Sequence, residues 1–216
     1  MNQNKKKSLL EDKMLQNETV YRAACDVFGV NDRIGEDNSP RVFRYYDQRD
    51  EISADLLTVP DIPAKGAVSY ATVGLIHHSI GLRREDSPLR VEIVSACYAR
   101  YEYYPNLLSS CAFDVINAHF ACSDSTLAAG KRECVNMYVQ DSALPHLVFL
   151  PAAGIALWQS PPPALSFHDK RVFWLYALPV SNDEYAHYEA FGPDFLLESL
   201  RQAEANLLDL ERKSVF

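Results

Sequence analysis

The stretch that decides the fold reads Val172-Phe-Trp-Leu-Tyr-Ala-Leu-Pro-Val180, followed at once by Ser181-Asn-Asp-Glu184. Its first part is an almost continuous apolar run, which is typical of a central strand covered on both faces. Its second part matches a capping box, in which the Ser181 hydroxyl accepts a backbone N–H and Glu184 reaches back to the cap. A buried strand followed directly by a helix therefore predicts an α/β fold.

Helical spacing of apolar residues predicts further helices on both sides of this stretch. Gly192 is expected to end the helix that starts at Ser181, and Pro193 is expected to open the next one. The apolar face of that last helix comprises Leu196, Leu200, Ala203, Leu207 and Leu210. Earlier in the chain, apolar residues recur at helical spacing from Leu9 to Phe28 and from Pro105 to Cys122.

Short β-rich runs predict the other strands of a sheet. They are Arg41–Tyr46, Val68–Leu75, Leu89–Tyr98, Glu133–Val139 and His146–Leu150. Nowhere between Val42 and Leu208 does the composition suggest a linker. We therefore predict one α/β domain rather than two.

The composition excludes several classes of protein. With 48% hydrophobic and 23% charged residues, the 216-residue chain resembles soluble globular proteins. Its longest apolar runs are strand-sized, and Glu11, Asp12 and Lys13 interrupt the apolar segment that a signal peptide needs. We expect no membrane span and a cytoplasmic location.

The net charge and the cysteine content restrict which partners and cofactors this protein is expected to have. The net charge of −8 disfavours a nucleic-acid binder and favours a basic protein partner through faster encounter. The cysteines are Cys25, Cys97, Cys111, Cys122 and Cys134, an odd number without a Cys-x-x-Cys pair. This spacing predicts reduced, mostly buried thiols rather than disulfides or a zinc site, and we expect no cofactor.

The order of motifs along the chain resembles the suppressor-of-fused domain. The motifs are Tyr70-Ala-Thr-Val-Gly-Leu75, the Pro105 helix leading to Gly130, Trp174-Leu-Tyr-Ala-Leu-Pro-Val180, Ser181-Asn-Asp-Glu-Tyr185, Gly192 and Phe195-Leu-Leu-Glu-Ser-Leu200. The resemblance covers Thr19 to Arg212. It predicts a domain over residues 19–212, a flexible N-terminus or helix start over 1–18 and a tail over 213–216.

The resemblance implies an α+β domain with a single mixed β-sheet flanked by helices, and a non-enzymatic role in holding another protein. Animal members hold a transcription factor in a groove that also uses a second, C-terminal domain, which we expect this chain to lack. Short single-domain members are largely bacterial, and many resemble immunity proteins that neutralise a co-encoded toxin. The animal proteins have a Gly-Asp step after the long helix, where this chain has Gly130-Lys131. Lys131 is therefore a candidate partner contact with a reversed charge.

The histidines and cysteines give little indication of catalysis. His77 and His78 follow the Tyr70–Leu75 strand, and adjacent strand residues point to opposite faces, so they are a poor chelating pair. We interpret them as loop or partner-contact residues. His119 and the cysteines Cys97, Cys111 and Cys122 fall on segments predicted as core helix or strand, which indicates buried, inert side chains.

Two aromatic segments are candidates for an interface. Trp158 precedes the rigid run Pro161–Pro163 and is either an interface anchor or a core residue. The second segment carries Tyr98, Arg100, Tyr101, Tyr103 and Tyr104. These residue types are enriched at interfaces. Packing of a strand end on the following helix explains the second segment almost as well, and Tyr101 and Tyr103 are its candidate contacts.

Three functional hypotheses follow. The leading one is an immunity protein that binds and occludes a toxin. The second is an intracellular adaptor or regulator that binds an extended peptide by strand addition. The third is a hydrolase or metal-dependent enzyme that uses His77, His78 or a cysteine.

Overall fold

The computed structural model describes residues 3–30, 39–84, 87–118, 129–133 and 135–216. Within these ranges the chain forms nine β-strands and four α-helices. The strands are β1 (Arg41–Tyr46), β2 (Ser53–Pro60), β3 (Ala67–Val73), β4 (Arg83–Arg84), β5 (Ser87–Tyr98), β6 (Ala129–Glu133), β7 (His146–Pro151), β8 (Leu165–Phe167) and β9 (Lys170–Val180). The helices are α1 (Gln3–Phe28), α2 (Tyr104–Ile116), α3 (Asn182–Phe191) and α4 (Pro193–Gln202).

The strands form one mixed sheet in the order β1-β2-β3-β5-β9-β7-β6, with β4 paired to β5 and β8 paired to β9. Strands β5 and β9 run parallel, with Val94 opposite Tyr176. The other pairs between described strands are antiparallel. The predicted mixed sheet with flanking helices is therefore confirmed.

Strand β9 lies inside the sheet because its side chains are apolar on both faces. Trp174 and Tyr176 pack into the same core as α1 and α4. Leu175 and Ala177 pack into the second core, which contains α2. The nearly continuous apolar run in the sequence thus reflects a strand with a hydrophobic core on each face.

The helix termini follow from local chemistry, with one difference from the prediction. Gly29 has a φ of 67° and follows the end of α1, as a left-handed residue after a helix does. Helix α2 ends at Ile116, whereas the apolar spacing predicted an end at Cys122. Ala118 has a φ of 57°, which cannot continue a right-handed helix. His119 and Cys122 lie outside the described residues.

The capping box at Ser181 is present. The Glu184 backbone N–H donates to the Ser181 hydroxyl over 3.1 Å, and the Ser181 N–H donates to the Glu184 carboxylate over 3.0 Å. Gly192 separates α3 from α4 with a φ of 85°. The predicted apolar face was too long, because α4 ends at Gln202 and Glu204 is left-handed at 50°.

The short strands β4 and β8 were not predicted, and the structure differs from the strand predictions at two further places. Strand β2 was not predicted, although its Leu56 and Leu57 face opposite cores. The strand predicted at Glu133–Val139 is wrong, since β6 ends at Glu133 and a 3₁₀ turn occupies Val135–Met137. Cys134 lies outside the described residues.

None of the helices that the structure describes is both long and apolar enough to cross a bilayer. Helix α1 begins within the segment predicted as a flexible N-terminus or helix start, and Val20 is its first buried apolar residue. At the other end, the Val215 N–H donates to Glu184 over 3.1 Å, so the predicted tail is attached to α3. The domain boundaries stay predictions.

Candidate protein-binding surfaces

The two adjacent histidines are positioned by a buried carboxyl group. Glu92, on β5, is fully buried and accepts the backbone N–H groups of Gly74 and Ile76 over 3.0 and 3.1 Å. It also accepts the Thr72 hydroxyl over 2.5 Å. These bonds hold the 3₁₀ turn Leu75–His77 at the end of β3.

His77 is the last residue of this turn, and His78 follows it. The His77 Nε2 lies 2.7 Å from the Asn17 amide oxygen on α1. Burial lowers the pKa of His77 to about 4, and it also lowers the pKa of His78. Within the described part of the chain, no group of three or more histidine, cysteine or acidic side chains could hold a metal ion.

Trp158 is half-buried and packs on the core that contains α1. Its ring centroid lies 5.2 Å from that of Phe28 and 6.0 Å from that of Tyr176. Its indole N–H donates to the Ser69 hydroxyl over 2.8 Å, and that hydroxyl donates to the Ile62 carbonyl. These contacts give Trp158 a packing role, and contact with a partner stays a prediction.

Replacing Trp158 with phenylalanine is expected to lower the free energy of unfolding by about 1 kcal/mol, because one hydrogen bond is lost while the aromatic packing remains. Urea denaturation measures this difference. Ser69→Ala is the complementary variant, and it should cost at least as much because it leaves the indole N–H without its acceptor. Full retention of stability in both variants would show that the bond is not structural.

The proline run is attached to the sheet through the other tryptophan. The Trp174 indole N–H donates to the Pro163 carbonyl over 2.9 Å, and Pro162 is buried. The loop over residues 159–163 is therefore fixed at its C-terminal end on the central strand.

The tyrosine segment is mainly structural. Tyr104 is fully buried, and Tyr101 keeps only 5% of its surface exposed. The Tyr101 hydroxyl donates to Asp209, which lowers the pKa of that carboxyl group, and Arg100 bonds to both residues. Tyr103 is half-buried and stacks on Tyr138 with centroids 6.2 Å apart. Burial leaves Tyr101 little surface for a partner, and Tyr103 stays a predicted contact.

Lys131 lies on β6, which pairs with β7 through an irregular register between Ala129 and Arg132. Its side chain is outside what the structure describes, and its contact with a partner also stays a prediction.

A surface that sequence reasoning missed lies where α3, α4 and the C-terminal segment meet. We call it the aromatic cluster, and it consists of His187, Phe191, Phe195 and Phe216. The His187 and Phe216 rings stack with centroids 3.7 Å apart, and the Phe191 and Phe195 centroids are 4.9 Å apart. The i, i+4 spacing of the first three residues was a detectable signal, but Gly192-Pro193 interrupts it and Phe216 is remote in sequence.

A match to known proteins identifies the family. The family described as "Suppressor of fused protein (SUFU)" matches residues 50–213. The chain belongs to the suppressor of fused family. The resemblance seen in the ordered motifs is therefore confirmed.

A bacterial relative of this family covers nearly the whole chain. It is "Immunity protein YqcF" of Bacillus subtilis (strain 168), which is 34% identical over 200 residues, 93% of this chain and 97% of the relative. At this identity and coverage the two chains share one fold along almost their full lengths.

Solved structures of the suppressor of fused family share the fold at low identity. A putative homolog from Neisseria gonorrhoeae has a TM-score of 0.59 at 16% identity, covering 94% of this chain and 98% of that one. A chain of the Sufu–Fu complex has a TM-score of 0.60 at 12% identity, covering 93% and 92%. Drosophila Suppressor of Fused has a TM-score of 0.51 at 13% identity, covering 91% of this chain and 50% of that one.

Proposed function

We propose that this protein is an immunity protein, which binds a cognate toxin and neutralises it by occlusion. The observation that carries the proposal is the 34% identity to the Bacillus immunity protein across 93% of this chain. Suppressor of fused domains are protein-binding domains, so the fold fits a function exerted through binding.

The proposed mode is non-enzymatic, and the candidate nucleophiles and bases support it. Burial raises the pKa of Cys97 to about 12 and raises that of Cys25, so both side chains are thiols at neutral pH. His77 is bonded to Asn17 rather than to a nucleophile. Each of these groups has a packing or positioning role in the structure.

The proposed partner is a basic protein domain, met in the cytoplasm. The net charge of −8 attracts a cationic partner and accelerates encounter, and it repels nucleic acid. The buried thiols of Cys25 and Cys97 suit a reducing compartment.

Co-expression tests this function. Cells that produce the toxin encoded beside this gene should stop growing, and co-expression of this protein should restore growth. A matched strain that produces the Arg212→Ala variant, which removes a buried ion pair between Arg212 and Glu184, should recover less. Continued growth arrest in the presence of well-folded wild-type protein, with each neighbouring toxin tried, would refute the proposal.

A second candidate function is that of an adaptor for an extended peptide, and the edge of the sheet favours it. Strand β1 is hydrogen-bonded only to β2 in the described sheet order and exposes Val42 and Phe43. If a peptide adds a strand at this edge, it should bind with micromolar affinity. Phe43→Pro should abolish this binding, because proline removes a backbone donor from β1.

A further inference from the structure

We propose that the surface formed by α3, α4 and the C-terminal segment is the docking surface for the toxin. In this proposal, the aromatic cluster receives apolar side chains, and the carboxylates around it receive lysine and arginine side chains of a basic partner. The inference rests on the proposed function and specifies where it is exerted.

The first argument is the exposed apolar area. Phe191, Phe195 and Phe216 expose 62%, 43% and 40% of their surfaces, although their rings contact one another or His187. Single exposed apolar residues are common on proteins, but contiguous aromatic patches mark interaction sites. Aromatic residues also carry a large share of binding energy at protein interfaces.

The second argument is that the cluster is held in place before any partner arrives. The capping box fixes the start of α3, and the His187 Nδ1 bonds to the Asp183 carbonyl over 2.8 Å. Phe216 follows Val215, whose N–H is bonded to the buried Glu184. A surface ordered in advance loses little conformational entropy on binding.

The third argument is charge. Residues 182–204 contain six carboxylates and one arginine, and the exposed Glu211 and Lys213 of the C-terminal segment offset each other. The cation, Arg201, is bound to Glu198 over 2.7 Å, and the carboxylate of Glu184 is buried against Arg212. The exposed carboxylates are Asp183, Glu189, Asp194, Glu198 and Glu204. The surface is therefore strongly negative and complements a cationic partner.

The fourth argument is a groove on the other flank of α4. Its volume is about 510 Å³, and its lining includes the apolar side chains of Leu197 and Leu207. Asp194 and Glu198 line the same groove. A partner that crosses α4 would meet apolar surface on both flanks of the helix, with carboxylates between them.

The test uses this protein and an inactivated form of the toxin encoded beside its gene. Titration calorimetry measures the Kd for wild type and for the double variant Phe191→Ser with Phe195→Ser. We expect the Kd to rise about 100-fold or more, because two central aromatic contacts are removed. Circular dichroism melts verify that this variant is folded.

Matched controls remove apolar residues of similar exposure elsewhere. Val42→Ser with Phe43→Ser alters the edge strand β1, and Leu10→Ser with Met14→Ser alters the exposed half of α1. Both controls should bind within about threefold of wild type, a change that corresponds to little interaction free energy.

A charge variant gives a second readout that does not depend on the aromatic residues. Asp194→Asn with Glu198→Gln should weaken binding and make it less sensitive to added salt. The inference is overturned if the charge variant keeps the wild-type affinity and salt dependence. It is also overturned if the aromatic variant keeps the wild-type affinity, whether or not a β1 or α1 control loses binding. In either case the proposed function stands. Failure of wild type to bind would refute both.

Discussion

Replacing Arg212 with alanine is expected to lower the free energy of unfolding by about 3–5 kcal/mol. Its guanidinium donates to both oxygens of Glu184 over 2.5 and 2.9 Å. The Arg212 and Glu184 side chains keep 6% and 0% of their surface exposed. Alanine would leave a buried carboxylate without its cation, and the cost of such an uncompensated charge exceeds the net contribution of the pair.

The effect should extend to several elements, because Glu184 joins them. It accepts the N–H groups of Ser181 and Val215, and Arg212 also donates to the Pro179 carbonyl over 3.1 Å. The end of β9, the start of α3 and the C-terminal segment therefore share one buried ion pair.

Urea denaturation with linear extrapolation measures the loss. The matched control is Arg201→Ala, which breaks the solvent-exposed pair with Glu198 and should change the free energy of unfolding little, because water screens exposed charges. A loss for Arg212→Ala as small as that of the control would contradict the structural role assigned to the buried pair.

The second large effect concerns pH. Burial raises the pKa of Glu92 from its ordinary value of 4.5 to about 8, despite the hydrogen bonds from Thr72, Ile76 and Gly74, which lower it. Between these pH values the unfolded chain has released this proton and the folded chain retains it. The contribution of Glu92 to the free energy of unfolding should therefore fall as pH rises from about 4.5 to 8, by about 1.4 kcal/mol per unit of pKa difference. The lowered pKa values of His77 and His78 act in the opposite direction below about pH 6.5, so the effect of Glu92 is measured as the difference between wild type and a variant that lacks this carboxyl group.

Glu92→Gln should remove this pH dependence while keeping the turn in place. The amide oxygen can accept the Gly74 and Ile76 N–H groups, and the amide nitrogen can donate to the Thr72 hydroxyl. Urea denaturation near pH 5 should give the same stability for the variant and for wild type. At pH 9 the variant should be more stable than wild type.

Glu198→Gln is the matched control for this measurement. Hydrogen bonds from Arg201 and Gln202 lower the pKa of the exposed Glu198 to about 2, so it does not titrate in this range. A Glu92→Gln variant whose stability follows the wild-type curve from pH 5 to pH 9 would contradict a neutral buried carboxyl group.

Local signals predicted the parts of the fold that depend on neighbouring residues. The capping box at Ser181, the glycine stop at Gly192 and the apolar run of β9 were predicted because each is determined within a few positions. Strand β2 was missed because Asp55 and the closing Pro60 interrupt its β pattern. The end of α2 was missed because apolar spacing alone does not indicate where the backbone turns left-handed.

The long-range contacts could not be read from periodicity. Arg212 lies 28 residues from Glu184, and no local pattern pairs them. Glu92 appeared as an ordinary strand residue, although a carboxylate between apolar neighbours on a strand covered on both faces was a usable signal. The aromatic cluster depends on Phe216 returning to α3, which only the folded chain shows.

Some of the predicted contact residues pack inside the domain, whereas the aromatic cluster is exposed. Trp158 donates a hydrogen bond to Ser69 and Tyr101 donates one to Asp209, so both aromatic residues have a structural role within the domain. The exposed phenylalanines of the aromatic cluster have no comparable role in either core. Exposure together with charge, rather than residue type alone, distinguishes the proposed docking surface.

The most direct test of the central claim is a titration of toxin activity against this protein. If the protein neutralises by occlusion, residual toxin activity should fall linearly with added protein and reach zero at a fixed molar ratio, and the toxin should regain activity when the complex is dissociated. Loss of toxin activity at a small fraction of one equivalent, persisting after this protein is removed, would show catalysis and contradict the account.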